Sequence, residues 1–516
     1  MNFKALKGLR IAISLLFFLV IGFLFIDFSN TFSSDWTNGI LFTQFAPSLL
    51  KFTKLLSLAA AGFIFILLLT LLFGRVYCST FCPLGTLQDL IHYLRKRFGK
   101  KKRMKFMRPM NWLRYGVLAV TAVLLLAGSA FMLNLLDPYS LFGKISSNLA
   151  RPVYYSANNL AAKTLEQKGI YTLYPVDFLH TGLLSIIFSI AVLGLLIWLA
   201  VKWGRLWCNT ACPVGTFLGL VSRISIFRIR LNKTLCTHCG ICSAVCKASC
   251  IDSKNSHVDF SRCVGCLNCL TVCPENGVLF SASVSGEHEL KEQAGRRDFI
   301  ARGLLLPLGL MAAPNLLSDT DKKKGVIPVN RENPTSPPGS GSIGRFIDSC
   351  TGCNLCVSAC PTKVLQPSFL QYGMAGMMMP HMDYSVNFCN YDCTVCGEIC
   401  PTGAILPLTP EDKRVTQIGR AKFIKENCIV YTDENDCGAC SEHCPTKAVN
   451  MVHYKGNLTI PEVNEDICVG CGACEYACPT DPLSIYVEGN PIHQKADKPK
   501  EEAPAIEVDP EDDFPF

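Results

Sequence analysis

Residues 74–86 read Gly74-Arg75-Val76-Tyr77-Cys78-Ser79-Thr80-Phe81-Cys82-Pro83-Leu84-Gly85-Thr86, and residues 204–216 read Gly204-Arg205-Leu206-Trp207-Cys208-Asn209-Thr210-Ala211-Cys212-Pro213-Val214-Gly215-Thr216. Gly, Arg, Cys, Thr, Cys, Pro, Gly and Thr recur in register, which indicates an internal duplication. Each copy follows a long apolar run. The duplication therefore predicts that the two CxxxCP motifs lie together at one face of a helical membrane domain.

The apolar runs around the two copies are long enough to cross a bilayer as helices. The chain has 516 residues, of which 49% are apolar and only 17% charged, and this balance also favours a membrane protein. Residues 1–225 are therefore predicted to form a four-helix membrane domain. Its predicted spans are residues 11–28, 55–73, 112–136 and 181–201.

Positive charge is concentrated beside these spans. Ten Lys or Arg residues lie between Arg95 and Arg114, so the net charge of +8 gives no indication of nucleic-acid binding. Basic loops tend to remain in the cytoplasm when a membrane protein inserts. The chain is predicted to cross the bacterial cytoplasmic membrane several times, with its N-terminus and both CxxxCP motifs at the cytoplasmic face.

The 29 cysteines have the spacing of bacterial ferredoxins. In those proteins C-x2-C-x2-C binds three corners of one [4Fe-4S] cubane, and a fourth Cys three residues later reaches the neighbouring cluster. Residues 230–285 carry two such motifs and are predicted to form a cytoplasmic ferredoxin-like α+β domain with two clusters. The predicted ligand sets are Cys236, Cys239, Cys242 and Cys273, and Cys263, Cys266, Cys269 and Cys246.

Residues 345–490 carry four more motifs, each ending in Cys-Pro-Thr, which a zinc site would not require. Two sequential modules and two nested modules both fit this order. Nesting is favoured, because the two motifs with a stretched first spacing are adjacent and would suit one irregular module. The nested ligand sets are Cys350, Cys353, Cys356 and Cys478; Cys468, Cys471, Cys474 and Cys360; Cys389, Cys393, Cys396 and Cys444; and Cys428, Cys437, Cys440 and Cys400.

The segment that joins the two cysteine-rich parts begins with Arg296-Arg297-Asp298-Phe299-Ile300 and continues with a short apolar run. Residues 296–315 are typical of a twin-arginine signal, and the alternative is a fifth membrane helix. Folded export would keep bare thiols out of an oxidising compartment. Residues 345–490 are therefore predicted to be periplasmic, preceded by a linker at 316–344 and followed by an acidic disordered tail at 491–516.

Five cysteines remain after the six ferredoxin-type clusters are assigned. Cys78, Cys82, Cys208 and Cys212 form the CxxxCP pairs, and cysteines four residues apart share one face of a helix. These four thiols could ligate a metal centre between the repeats, form redox-active dithiols or only pack. A shared redox or metal site is favoured, which makes them the candidate catalytic residues. Cys250 is predicted to pack.

The chain resembles two known kinds of subunit. The duplicated CxxxCPxG, the Asp137-Pro138-Tyr139-Ser140 segment and the paired ferredoxin motifs of residues 1–285 resemble the NapH type of quinol dehydrogenase membrane subunit. Residues 296–490 resemble the NapG/MauM type of four-cluster ferredoxin, and proteins of the NosR type share the membrane module. The resemblance implies a natural fusion of two subunits.

Such a fusion implies electron transfer from the quinol pool toward a periplasmic reductase, as a quinol dehydrogenase component or as an electron carrier. The partners that it implies are the membrane, the quinone pool and a periplasmic oxidoreductase or small electron carrier. A second function class remains open, in which the chain supplies electrons for the maturation or reactivation of a periplasmic metalloenzyme.

Other residues have weaker patterns. Residues 373–382 contain five methionines and His381, which would suit a soft docking or copper-contact surface, although a packed hairpin is favoured. Asp137, Tyr139, Asp177 and His180 lie where a quinol could release protons, but they would serve equally as helix caps and interfacial anchors. The sequence has no C-x-x-C-H haem motif, no dinucleotide fingerprint and no P-loop.

Overall fold

The computed structural model describes residues 3–27, 31–55, 61–98, 104–176, 182–282 and 327–498. They form two compact units. The first contains the described residues up to 282 together with Gly339–His381 and Val395–Pro407, and the second contains 327–338, Met382–Thr394 and the described residues from Leu408. The predicted domain at 345–490 thus contributes residues to both units, since Gly339–His381 and Val395–Pro407 pack with the N-terminal helices.

Several predicted features lie outside the described residues. These are the twin-arginine-like segment at 296–315, the start of the linker up to residue 326, most of the tail, and the two quinol candidates Asp177 and His180.

The N-terminal part of the first unit is helical. The helices are α1 (Phe3–Ile26), α2 (Ser34–Phe42), α3 (Phe45–Leu55), α4 (Gly62–Phe73), α5 (Tyr77–Thr80), α6 (Pro83–Phe98), α7 (Asn111–Leu126), α8 (Phe131–Leu136), α9 (Pro138–Ile145), α10 (Arg151–Glu166), α11 (Leu183–Trp203), α12 (Leu206–Thr210) and α13 (Pro213–Val221). A π-helical turn at Ser146–Ala150 joins α9 to α10.

Within the described ranges, α1 and α11 are long and apolar enough to cross a membrane, whereas α4, α7 and Pro213–Ile224 are apolar but shorter. The predicted span at 112–136 is not one helix. It ends at Leu126 and resumes at Phe131, after a turn in which Gly128 has a φ of +92°. Four uninterrupted spans are therefore not confirmed, because apolar sequence here also forms short helices that fold back.

The repeated motif ends one helix and starts another in the same way in both repeats. Gly74 (φ +77°) ends α4 and Gly204 (φ +74°) ends α11, since a left-handed residue without a Cβ terminates a helix readily. Pro83 and Pro213 then start α6 and α13, where their fixed φ suits the first helical turn and no N–H is lost. Each CxxxCP motif thus lies between the end of one helix and the start of another.

Small two-stranded sheets accompany the cysteine motifs. In the first unit β1 (Phe227–Leu231) pairs antiparallel with β4 (Val278–Ala282), and β2 (Ile251–Asp252) pairs with β3 (His257–Val258). β5 (Leu365–Pro367) and β6 (Pro380–Met382) form another pair. In the second unit β7 (Thr416–Phe423) pairs with β10 (Ile485–Lys495), and β8 (Val449–Lys455) pairs with β9 (Leu458–Val463).

Among the described residues, eight further short α-helical segments accompany the cysteine motifs, and five of them carry one motif cysteine each, namely Cys242, Cys356, Cys396, Cys440 and Cys474. Their bounds are Ile241–Ala244, Ile343–Ser349, Leu355–Ala359 and Val395–Glu398 in the first unit, and Pro410–Arg414, Ile429–Thr432, Ala439–Glu442 and Ala473–Tyr476 in the second.

Helix α1 contacts different parts of the first unit along its length. Arg10 donates a hydrogen bond to the carbonyl of Ser79 at 2.8 Å, and the hydroxyls of Ser14 and Thr86 lie 2.7 Å apart. Near the other end, Ser358 donates to the carbonyl of Phe25 at 2.9 Å. One end of α1 therefore contacts the first CxxxCP segment, and the other contacts the segment that carries Cys350–Cys360.

A close approach at α9 fixes the position of that second segment. A Cβ on Gly143 would collide with the carbonyl oxygen of Cys353 and lie 2.8 Å from the ring of Phe25. Arg151 adds hydrogen bonds to the carbonyls of Val357 and Ser358 at 3.2 and 2.9 Å. The absence of a side chain at residue 143 therefore lets the cysteine segment pack directly on the helix.

We expect Gly143→Ala to destabilise the protein by about 1–3 kcal/mol, the usual cost of forcing extra atoms into a packed interior. Gly116→Ala in α7 is the matched control, because nothing lies within 4 Å of a Cβ built there. Thermal unfolding of both full-length variants in detergent measures the difference. Equal transition temperatures for the two variants would contradict the close approach.

Candidate iron–sulfur sites

Two cavities in the 227–282 region are ringed by thiols. The first is lined by Cys236, Cys239, Cys242 and Cys273, and the second by Cys246, Cys263, Cys266 and Cys269, with Cys250 beside them. These groups are the two ligand sets that the sequence predicts, including the exchanged fourth cysteines. The chain therefore folds so that each motif completes the neighbouring motif's set.

The chemistry of both cavities fits a cubane. Four cysteine sulfurs are the usual ligands of a [4Fe-4S] cluster, and the other lining residues are mostly apolar, such as Ile229, Val258 and Val264 in the second cavity. Among the residues that the structure describes, no three His, Cys, Asp or Glu side chains converge tightly enough to hold a single metal ion. A cubane differs from a single ion because its four ligands surround a larger body.

Cys250 touches the second set rather than standing apart from it. Its Sγ lies 3.6 Å from Sγ of Cys246 and its thiol also hydrogen-bonds Cys263. The hydrogen bond from Cys250 lowers the pKa of Cys246 although burial acts against this, which favours Cys246 as the thiolate ligand. Cys250 is the fourth residue after Cys246, a position that Ala404 and Ala448 occupy after their own motif cysteines.

In the distal segment, Cys400 lies with Cys350, Cys353 and Cys356 in the first unit. Burial and the neighbouring Cys400 thiolate raise the pKa of Cys353 to about 12, despite a hydrogen bond from the N–H of Leu355. At neutral pH this thiol is protonated unless a metal displaces the proton, which coordination does readily.

The second unit contains two more groups. Cys478 lies with Cys428 and Cys440, and burial together with Cys437 and Cys478 raises the pKa of Cys440 to about 12. In the other group, Cys444 lies with Cys468, Cys471 and Cys474.

The nested pairing of the distal motifs is therefore wrong. It assigned Cys478 to the Cys350 group and Cys400 to the Cys428 group. In the structure Cys400 lies with the Cys350 group, and Cys478 lies with the Cys428 group. Cys444 likewise joins the Cys468 group, where nesting had placed Cys360. Cys400 thus completes the set of the motif before it, and the last two motifs exchange their final cysteines, because short connections bring consecutive motifs together more easily than a long return of the chain does.

The Cys-Pro-Thr ends have a common local geometry. In each, the threonine hydroxyl lies beside the sulfur of the cysteine two residues earlier, at 3.6 Å for Cys360, 3.8 Å for Cys400, 3.6 Å for Cys444 and 3.2 Å for Cys478. Backbone N–H groups add further contacts, from Ile405 to Cys400 at 3.4 Å and from Ala448 to Cys444 at 3.2 Å. Hydrogen bonds to cluster sulfurs help to set reduction potentials. The recurrence of Thr was visible in the sequence, but its contact with sulfur was not.

The four CxxxCP thiols form one buried group. Cys78, Cys82, Cys208 and Cys212 are 3–4% exposed, and each lies within electrostatic range of the others. The structure thus brings both motifs to one place, as the in-register repeat predicts.

Two arginines cross between the repeats at this place. Arg75 of the first repeat donates to the carbonyl of Cys208 at 2.8 Å, and Arg205 of the second donates to the carbonyl of Cys78. Gly85 and Gly215 are required there, because a Cβ on either would collide with the carbonyl oxygen of Cys78 or Cys208 of its own repeat. The two repeats are therefore joined by a reciprocal pair of buried arginine contacts.

The same two segments hold the ferredoxin-like region at 227–282. Arg75 also donates to the carbonyl of Ser261 at 3.2 Å, and the N–H of Arg205 donates to the carbonyl of Lys247 at 2.9 Å. Asn209 donates to the carbonyl of Ala248 at 3.0 Å. Lys247 directly follows Cys246 in the chain, so the four-thiol group adjoins the Cys246 set.

The weaker candidates are structural where the structure describes them. Asp137 caps α9 by accepting from the N–H and hydroxyl of Ser140 at 2.8 and 3.0 Å, and Tyr139 is fully buried against Phe25. Residues 373–382 form the favoured packed hairpin, in which Met378 and Met379 are fully buried.

Comparisons with known proteins match these sites. A model described as a 4Fe-4S binding domain matches residues 57–101 and 185–234, and another of that description matches 257–278. A 4Fe-4S dicluster domain matches residues 349–432 and 435–481. The first pair of matches contains both CxxxCP motifs.

Three relatives illustrate the similarity. The ferredoxin-type methylamine utilization protein MauN of Paracoccus denitrificans is 31% identical over 175 residues, which is 34% of this chain and 48% of MauN. The ferredoxin-type protein NapH of Haemophilus influenzae is 27% identical over 227 residues, 42% of this chain and 66% of NapH. The protein YccM of Escherichia coli K12 is 29% identical over 256 residues, 48% of this chain and 61% of YccM.

The matched segments thus span about half to two thirds of these relatives. The thiol groups lie in segments that match 4Fe-4S domain models, and the N-terminal half of the chain is similar to ferredoxin-type proteins. The chain combines a part similar to NapH and MauN with additional 4Fe-4S domains, as the resemblance in sequence predicts.

We expect Cys246→Ala to remove one cluster, about four iron atoms per chain, because a cubane needs its fourth thiolate. Cys250→Ala should retain full iron, since alanine occupies the equivalent positions 404 and 448. Iron and acid-labile sulfide of anaerobically purified full-length variants measure both. The reverse pattern, with iron lost only from Cys250→Ala, would make Cys250 the ligand.

Proposed function

We propose that the chain is a multi-pass protein of the cytoplasmic membrane that passes electrons from the quinol pool toward a periplasmic reductase. The observation that carries this proposal is the contact of α1 with a different thiol-bearing segment toward each end. Such an arrangement would let one domain join redox groups on opposite sides of a bilayer.

Uncovered apolar faces support the membrane assignment. On α1 the side chains of Leu16 and Leu19 are 60% and 66% exposed, and on α11 those of Leu183 and Ile187 are 72% and 52% exposed. Water would not favour such faces, whereas lipid would cover them at no cost. We propose that α4 and α7, with the chain that adjoins them, complete a bundle of four crossings.

The basic residues support one orientation. Lys4 and Lys7 lie at the start of α1, Arg95 and Arg97 lie at the end of α6, and Lys202 lies at the end of α11. By the positive-inside rule these ends face the cytoplasm, which puts the 227–282 region there and the Cys350 segment outside.

Six [4Fe-4S] clusters are proposed on 24 cysteines, and when bound they supply one-electron transfer. Five ligand sets are Cys236, Cys239, Cys242 and Cys273; Cys263, Cys266, Cys269 and Cys246; Cys350, Cys353, Cys356 and Cys400; Cys428, Cys437, Cys440 and Cys478; and Cys468, Cys471, Cys474 and Cys444. The sixth cluster is proposed from motif spacing alone, on the remaining cysteines Cys360, Cys389, Cys393 and Cys396.

The protein's own contribution is to bury and orient these thiols. Threonine hydroxyls and backbone N–H groups contact the sulfurs, and the burial of residues such as Cys356 and Cys474 excludes water. Both features act on reduction potential, so they would set the order in which electrons pass.

The second candidate function is an accessory role, in which the same groups reduce a periplasmic metalloenzyme during its maturation or reactivation. It needs the same clusters but not sustained turnover. The rate of quinol oxidation therefore separates the two functions.

We expect a reduced menaquinol or ubiquinol analogue to bleach the cluster absorbance of the anaerobically purified full-length protein. In the respiratory role the rate equals or exceeds the turnover of the partner reductase, and Cys250→Ala, which keeps all proposed ligands, behaves as wild type. Clusters that dithionite reduces and quinol does not would overturn quinol oxidation. Quinol-driven reduction far slower than reductase turnover would favour the accessory role.

A further inference from the structure

We infer that Cys78, Cys82, Cys208 and Cys212 together hold a seventh iron–sulfur cluster, shared between the two repeats and positioned between the inner and outer clusters. The inference rests on the proposed function only for the direction of electron flow. The site itself follows from four features of the four-thiol group: its hydrogen bonds, its charge, the match of both repeats to a 4Fe-4S binding model, and its place along α1.

Two of the four sulfurs accept backbone hydrogen bonds at helix starts. The N–H of Gly85 donates to Cys82 at 3.4 Å at the start of α6, and the N–H of Gly215 donates to Cys212 at 3.2 Å at the start of α13. The same type of contact reaches Cys400 and Cys444 in the distal motifs. The positive end of a helix and its N–H groups stabilise a thiolate more than a neutral thiol.

The charge around the four thiols requires a negative partner. Arg75 is fully buried, and its guanidinium contacts carbonyls, the side chain of Asn209 and, at 3.9 Å, Sγ of Cys78. No carboxylate among the described residues forms an ion pair with it, and its Nε has no hydrogen-bond partner. A buried cation without an opposite charge is strongly unfavourable.

The second arginine does not supply the missing charge. Arg205 is also buried, and its partner Asp89 is shared with Lys247, at 2.8 Å and 3.0 Å. Arg10 lies 3.9 Å from the same carboxylate, so three other cations already share its one negative charge. Four neutral thiols leave the charge of Arg75 unbalanced, whereas thiolates around an anionic cluster offset it.

A cluster fits better than the other occupants. A single ion held by four thiolates would also carry negative charge, but the model described as a 4Fe-4S binding domain matches both of the segments that bear these thiols. Disulfides would be uncharged and would leave Arg75 without a partner. A cubane held by four thiolates agrees with that match and carries net negative charge, so it supplies the partner that Arg75 lacks.

The position along α1 places this site between two others. Arg10 lies within electrostatic range of Cys266, Ser14 contacts Thr86 beside Cys82, and Phe25 contacts Ser358 in the Cys350 segment. From residue 10 to residue 25 the helix rises roughly 22 Å, at 1.5 Å per residue. The four-thiol group therefore lies between the Cys266 set and the Cys350 set, so an electron could cover the distance between them in two shorter transfers.

Tyr77 and Asp137 lie between the four-thiol group and the Cys350 group. Tyr77 is 1% exposed and lies within electrostatic range of Cys78, Cys82 and Asp137. Asp137 in turn lies within electrostatic range of Cys353, a proposed ligand in the Cys350 set.

Each transfer moves one electron, which oxidises one cluster and reduces the next while all thiolate ligands stay bound, so no proton or further reactant is required.

The test is iron, sulfide and Mössbauer analysis of anaerobically purified full-length protein. Wild type should contain about 28 iron atoms per chain, at four per cubane, and the quadruple variant Cys78→Ser, Cys82→Ser, Cys208→Ser, Cys212→Ser about 24. Each single Ser variant should match the quadruple variant in quinol-driven electron transfer, because groups that act as a unit are not additive. Equal iron in wild type and the quadruple variant would overturn the inference.

Cys250→Ala is the matched control, since it also removes a buried thiol and should retain all 28 iron atoms. If the quadruple variant does not accumulate, wild-type iron decides: about 24 atoms with six cubane signals overturns the seventh cluster, and about 28 supports it. Iron far below 24 in wild type would instead overturn the proposed function. The two failures are therefore distinguishable.

Discussion

The crossing of Arg75 and Arg205 is the interaction on which the rest of the first unit depends. Each guanidinium extends from its own repeat and donates to the backbone carbonyl of the first CxxxCP cysteine of the other repeat. Because both are fully buried, neither can exchange these contacts for water. The repeats are consequently fixed relative to each other, and so are the four sulfurs between them.

The same constraint extends to both cysteine-bearing parts of the first unit. Arg75 and the backbone of Arg205 bind carbonyls next to the ferredoxin-like motifs of the 227–282 region. Gly143 and Arg151 hold the segment that bears Cys353 and Cys356. Electron tunnelling slows steeply with distance, so direct packing of cysteine segments on one helical scaffold favours transfer more than a flexible tether would.

Local spacing was sufficient to predict the cysteine quartets, the exchanged ligands of the inner pair and the meeting of the CxxxCP motifs. It could not predict the distal partners, because all four distal motifs have interchangeable last cysteines and the pairing depends on how the connections fold. The turn at Gly128 was hidden for a related reason: residues on both sides of it are apolar, so composition alone suggests one continuous helix. The contact of Cys250 with Cys246 could be seen only in the structure, because motif spacing does not indicate it.

The central claim is that electrons cross the membrane domain through the four-thiol site. Its most direct test uses sealed proteoliposomes that contain the full-length protein with its 227–282 region toward the lumen, quinol in the bilayer and ferricyanide outside. The account predicts rapid quinol-dependent ferricyanide reduction that is lost in the quadruple Cys→Ser variant while its other six clusters remain assembled. Undiminished ferricyanide reduction by that variant would contradict it.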